Sequence, residues 1–258
     1  MTLKKYMKYI TVPVVSLFLL YNPVVIAQEY EGSLHWSKRV ELSTPVNGVV
    51  QDVFARAGKI VPKGEVLVQL DPRIFKADLS YARAVLKNSN EKSQEARREL
   101  ERQTDMYDRT MLSEHELQVA KNNYTETKSQ FQQAKASLTR AKLNLEYSAI
   151  RAPFNAIVIS TSAVKGQVVA SEMAPPVLVV IAEAKHMLAR IYVPAEKLSG
   201  IVLNNEAKVN VAGQTFQGKV TNIALEEDAS KAGLYAVDVI FDTKEKILRA
   251  GQKGSVEL

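Results

Sequence analysis

Pro45-Val46-Asn47-Gly48-Val49-Val50 returns 108 residues later as Pro153-Phe154-Asn155-Ala156-Ile157-Val158. The same offset carries Gly58 onto Gly166 and Val61 onto Val169. Each copy closes on an apolar run, Val66-Leu67-Val68-Gln69-Leu70 in the first and Val177-Leu178-Val179-Val180-Ile181 in the second, with extra residues around 174–176 in the second. β-Branched stretches punctuated by Gly and Pro read as short strands and turns. Neither copy is large enough to bury its own apolar face, so the two are expected to interlock into one small β-sandwich.

The chain between the copies has another period. From 73 to 148 there is no Gly and no Pro. Apolar or small residues fall at Leu79, Ala82, Leu86, Ser89, Ser93, Ala96, Leu100, Gln103 and Tyr107, alternately three and four apart. After a break the pattern restarts at Leu117, Ala120, Tyr124, Thr127, Phe131, Ala134, Leu138, Ala141, Leu145 and Ser148. Two such runs predict an antiparallel coiled-coil hairpin inserted into the sandwich, each helix about 50 Å long at 1.5 Å per residue. Ser113 followed by Glu116 is a capping box that starts the second helix. Ala and Ser along the seam imply closely approaching helices.

Past the second copy the pattern becomes alternation: Met187, Ala189, Ile191 and Val193, then Ala207, Val209 and Val211. Further strands are expected at 216–224, 235–241 and 255–258, with turns at Gly213, Gly218, Gly233 and Gly251, giving a small β-barrel over 183–258. Leu198–Ile201 suits a short helix over one barrel end.

Ahead of the first copy, Lys4, Lys5 and Lys8 precede an apolar run from Ile10 to Leu20, and Val25-Ile26-Ala27 offers a small-residue cleavage site. Residues 1–27 therefore read as a secretory signal, or an uncleaved N-terminal anchor, and the remainder as exported. The net charge is +6, of which the three lysines of 1–27 supply half. The rest sits in 73–148, which has 14 basic and 11 acidic residues. The basic balance is thus one of targeting and of a slightly basic rod, and nucleic acid is not an expected partner. The absence of cysteine excludes disulfides, thiolate metal sites and a lipidated N-terminal cysteine.

In this order, the Pro-Val-Asn-Gly-Val copy, Lys63-Gly64-Glu65-Val66-Leu67 running into Leu70-Asp71, the heptad hairpin and Ile150-Arg151-Ala152-Pro153-Phe154 resemble the periplasmic adaptor proteins. These are the membrane fusion (HlyD-like) proteins of resistance-nodulation-division efflux and related secretion systems. The resemblance covers nearly all of the chain after residue 27. It implies a mixed α and β, modular fold. A split lipoyl-like sandwich (barrel-sandwich hybrid) over 41–72 and 149–182 carries the hairpin over 73–148, with the barrel behind it. Ala156 departs from the glycine usual there. Leu248-Arg249-Ala250-Gly251-Gln252 resembles the family's barrel-closing motif. The family's membrane-proximal domain has no counterpart beyond a stub at 28–40.

The resemblance also implies the partners: an inner-membrane transporter, an outer-membrane channel and further copies of the chain, a hexamer, in the periplasm against the inner membrane. Arg102, Met106 and Ser113 stand at the spacing of the Arg, Leu and Ser with which such adaptors dock channel tunnels, with Met for Leu. A guanidinium fork, an apolar knob and a hydroxyl suit docking; the plainer reading is a solvated charge and an N-cap. An adaptor of an ABC-type or major-facilitator exporter fits the same residues.

Chemistry is not expected. His35, His115 and His186 fall in different modules, no catalytic motif stands out, and Glu226-Glu227-Asp228 reads as a solvated barrel loop. A lipoyl carrier would need a modifiable lysine at a tight turn between the copies, where the hairpin begins and Lys76 is helical. No cofactor or metal is implied.

Overall fold

The computed structural model describes residues 28–170, 175–244 and 246–258. The expected signal or anchor, 1–27, lies outside the described residues. In chain order the elements are β1 (Glu29–Trp36), β2 (Arg39–Leu42), β3 (Gly48–Val53), β4 (Ile60–Val61), β5 (Val66–Leu70), α1 (Arg73–Asp108), α2 (Glu114–Tyr147), β6 (Ala149–Arg151), β7 (Ala156–Thr161), β8 (Val168–Val169), β9 (Val179–Glu183), β10 (His186–Pro194), α3 (Ala195–Leu198), β11 (Glu206–Val211), β12 (Gln214–Asp228), β13 (Lys231–Asp242) and β14 (Lys253–Glu257).

The repeat interlocks as its sequence requires. One sheet runs β2-β9-β7-β4 and the other β6-β5-β3-β8. Replacing each strand by its counterpart in the other copy turns one sheet into the other, so each sheet draws strands from both copies. The hydrogen bonds repeat as well. Gly58 N donates to Val158 O and Gly166 N to Val50 O, both at 2.8 Å. The amides of Phe54 and Ala55 share Leu67 O as those of Ser162 and Ala163 share Leu178 O. Gly58 and Gly166 hold φ of 82° and 87°, a left-handed backbone that disfavours a side chain. Leu67 and Leu178, both fully buried, sit in one core with Val50, Val158, Leu70 and Ile181.

The insertion is a hairpin of two helices. Its seam is the three-four pattern: Leu79, Ala82, Ser89, Ser93 and Ala96 are buried on α1, and Leu117, Ala120, Ala134 and Ala141 on α2. Leu79 and Ala82 cluster with Leu138, Ala141 and Leu145, so the helices run antiparallel. Tyr107, expected in the seam, is 39% exposed, one residue before α1 ends at Asp108.

The barrel closes in the order β1-β10-β13-β12-β11-β14. Residues 28–40, expected as a stub apart from it, instead supply β1, which pairs with both β10 and β14 and so removes the two edges a five-stranded sheet would expose. Leu34, Ile191, Val209, Phe216, Val239 and Phe241 fill the interior. The short helix comes three residues earlier than expected, starting directly after Pro194, while Leu198 and Ile201 still cover the barrel core.

Barrel and hairpin leave the sandwich at opposite ends. β2 enters from the barrel through Ser37 and Lys38, and just beyond it Thr44 donates its hydroxyl hydrogen bond to Tyr147 O at the hairpin base, 2.8 Å. At the barrel end, Glu183 N donates to Lys38 O at 2.9 Å, and Glu183 pairs with His186 at 2.9 Å.

Candidate functional site

The hairpin tip is built from the last turn of α1, the connection 109–113 and the first turn of α2. Thr110 turns the chain with φ of 60°, a left-handed value strained for a β-branched residue. Ser113 then caps α2. Its hydroxyl donates to Glu116 Oε2 at 2.7 Å and accepts from Glu116 N at 3.3 Å, while Ser113 N donates to the same carboxylate at 3.0 Å. These bonds hold Glu116 below the usual carboxylate range, the Ser113 hydroxyl contributing most.

Arg102 is exposed and bound to acids of its own helix: it pairs with Glu99 and lies 3.7 Å from Glu95. Glu99 is held low chiefly by the hydrogen bond from Gln103, then by that from Arg102. Gln103 gives its amide to Glu99 at 2.6 Å, and its buried Oε1 has no partner among the described residues. Met106, one turn beyond Arg102 and 38% exposed, borders a groove shared with Leu112, His115, Val119 and Asn123. Arg102, Met106 and Ser113 thus share one tip, but no hydrogen bond or ion pair joins them among the described residues. The sequence reading missed Tyr107 and Met111, 39% and 61% exposed, which extend the apolar surface of Met106. For Met111 the signal was an apolar residue just past the last position of the three-four pattern; Tyr107 occupies that last position and so reads as a seam residue.

The histidines stay apart on β1, α2 and β10, and no cluster of three metal-ligating side chains occurs among the described residues. Glu227 and Asp228 at the far barrel end serve local turns, accepting from Gly233 N and Ser230 N. A second feature escaped the sequence reading. Ser33, Arg190, Asp238 and Asn222 are register partners across β1, β10, β13 and β12. Arg190 grips Asp238 with two bonds of 2.7 and 3.0 Å, Asn222 adds one of 3.3 Å, and Asp238 is only 4% exposed. The side-chain bonds of this ladder tie β10, β13 and β12 together and offer no open chemistry. No helix of the described residues is long and apolar enough to cross a membrane.

A sandwich assembled from two interlocked copies, split by a helical hairpin and followed by a closed barrel, defines the membrane fusion proteins, the HlyD-like periplasmic adaptors. Residues 38–182 match the CzcB-like, barrel-sandwich hybrid domain, and the chain belongs to that family. The chain is 24% identical over 223 residues to the nodulation protein NolF of Rhizobium meliloti, a match covering 85% of this chain and 60% of that protein's length. Among solved structures, a MacA–MexA chimera carrying the Pseudomonas aeruginosa MexA α-hairpin superposes with a TM-score of 0.68 at 21% identity, covering 89% of this chain and 79% of that one. The membrane fusion protein Spr0693 of Streptococcus pneumoniae superposes with a TM-score of 0.67 at 15% identity, covering 90% and 98%.

Proposed function

We propose that this chain is the periplasmic adaptor of a tripartite export pump, joining an inner-membrane transporter of the resistance-nodulation-division type to an outer-membrane channel without catalysing a reaction. The observation that carries this reading is that barrel and hairpin leave opposite ends of the sandwich. Helices of 36 and 34 residues reach about 50 Å away from the barrel. In this reading residues 1–27 export or anchor the chain and the barrel, 183–258 with β1, meets the transporter. The lipoyl-like halves 41–72 and 149–182 pack side by side in a ring of copies, a hexamer. The hairpin 73–148 is a coiled coil that docks the channel through Arg102, Met106 and Ser113. For Arg102 this requires exchange of Glu99 for a partner carboxylate or carbonyl; for Met106, seating in an apolar groove.

The test is Arg102→Asp in a strain that depends on this chain for export. Loss of export with undiminished protein level supports tip docking; undiminished export overturns it. Which transporter co-purifies with the barrel end separates this reading from an ABC-type or major-facilitator partner.

A further inference from the structure

The two long faces of the hairpin differ. On α2 the residue after every second seam position is lysine: Lys121 follows Ala120, Lys128 follows Thr127, Lys135 follows Ala134 and Lys142 follows Ala141. On α1 the matching positions after Phe75, Ala82 and Ala96 are Lys76, Arg83 and Arg97. Because the helices run in opposite directions, these positions fall on one side of the seam. The other side is marked by two grooves, one bordered by Val85, Lys92, Gln130 and Ser137, the second by Glu99, Met106, Glu116 and Val119. None of the seven cations borders either groove.

Exposed lysines are ordinarily just solvated. What sets these apart is that they are aligned on one face and almost all unpaired, whereas Lys92 and Arg140, also without an ion pair among the described residues, stand singly elsewhere on the hairpin. Lys87, Arg98, Arg102 and Arg109 each meet an acid of their own helix. Of the seven on this face only Arg97 does, with Glu101. Lys76, Arg83, Lys121, Lys128, Lys135 and Lys142 are all exposed and have no ion pair among the described residues. The lysines of α2 recur every seven residues, about 10 Å apart, in a straight row about 32 Å long. The exposed apolar residues Ile74, Tyr81, Val85 and Val119 lie on the opposite side.

We propose that the row Lys121, Lys128, Lys135 and Lys142, extended by Lys76 and Arg83, is a docking track for a cell-wall polymer, a glycan strand whose regularly spaced peptide branches carry free carboxylates. A row of single charges without counter-ions suits a chain that repeats its own charge. Each contact is weak, and the repeat adds them into useful avidity. An anionic bilayer would be met by a plane of cations with apolar residues among them to insert, and this face carries none. The proposal rests on the adaptor reading in one respect, that an exported rod is where such a polymer is met.

The test is co-sedimentation of the purified full chain with de-proteinised peptidoglycan sacculi. Wild type is expected to pellet with sacculi and to be released by salt. The variant Lys121→Gln/Lys128→Gln/Lys135→Gln/Lys142→Gln should bind at least about tenfold more weakly, and amidation of the sacculus carboxylates should abolish binding. Circular dichroism checks that the variant keeps its helices; these lysines face solvent, so it should. The Arg102→Asp chain should still pellet, and the lysine variant should still be captured at its tip by the outer-membrane partner, so failure of one reading leaves the other standing. Equal pelleting by wild type and variant, no pelleting by wild type, or tighter row-dependent binding to phosphatidylcholine–phosphatidylglycerol vesicles than to sacculi would each overturn the proposal.

Discussion

Leu67 and Leu178 offer a matched pair of perturbations. Each is fully buried, each lies in the common sandwich core, and each lends its carbonyl to two amides of the same copy. Truncating either to alanine removes the same atoms from the same kind of packing. A buried Leu→Ala change costs the lost transfer free energy plus the cavity left behind, about 3–4 kcal/mol in a site that cannot collapse. Collapse is hindered here because the neighbours of each leucine belong to strands of both copies. For a chain of this size, that corresponds to a fall in Tm of about 6–16 °C. Scanning calorimetry of the two variants should therefore give sandwich transitions depressed alike, within about 1 kcal/mol of each other. The reasoning is refuted if one substitution costs several times the other, because the copies would then not be energetic equivalents. Separate transitions for the two copies would refute the interlocking.

Three further outcomes follow from the geometry. Asp238→Ala strands the Arg190 guanidinium without its nearly buried partner, and should cost the barrel about 3 kcal/mol by urea denaturation. Replacing both residues by apolar ones should cost less. The capping carboxylate Glu116 titrates below its unfolded value, so the cap contributes fully above the ordinary Glu range and fades as pH falls through the lowered value. An NMR titration of the Ser113 amide should show this, and Ser113→Ala should move the Glu116 titration back up. Thr110→Gly, relieving a left-handed β-branched residue, should raise hairpin stability by about 1 kcal/mol in thermal melts followed by circular dichroism.

The sandwich and the hairpin were legible because their signals are local. A left-handed turn asks for Gly58 and again for Gly166, and a narrow helical seam asks for small residues at alternate spacings of three and four. The fate of 28–40 was not legible. Tyr30 pairs with Val256 and Leu34 with Ala189, partners far along the chain that only barrel closure selects. The Arg190–Asp238 ladder was hidden for the same reason, since register decides which outward polar residues meet. At the tip, Arg102, Met106 and Ser113 stood out only through the family resemblance; the residues alone read as a solvated charge and an N-cap. Where the helix pair stops was not visible, and so Tyr107 was assigned to the seam instead of the exposed tip.

The central claim is that this tip meets an outer-membrane partner while the barrel faces the other way. The chain has no cysteine, so a single one can report on each end. Met111→Cys marks the tip and Leu225→Cys, on β12 and 96% exposed, marks the barrel end. Cross-linking in cells should join the first to an outer-membrane channel, dependent on Arg102, and the second to an inner-membrane protein. A tip cysteine that captures nothing from the outer membrane, or a barrel cysteine that captures the same protein as the tip, would contradict the account.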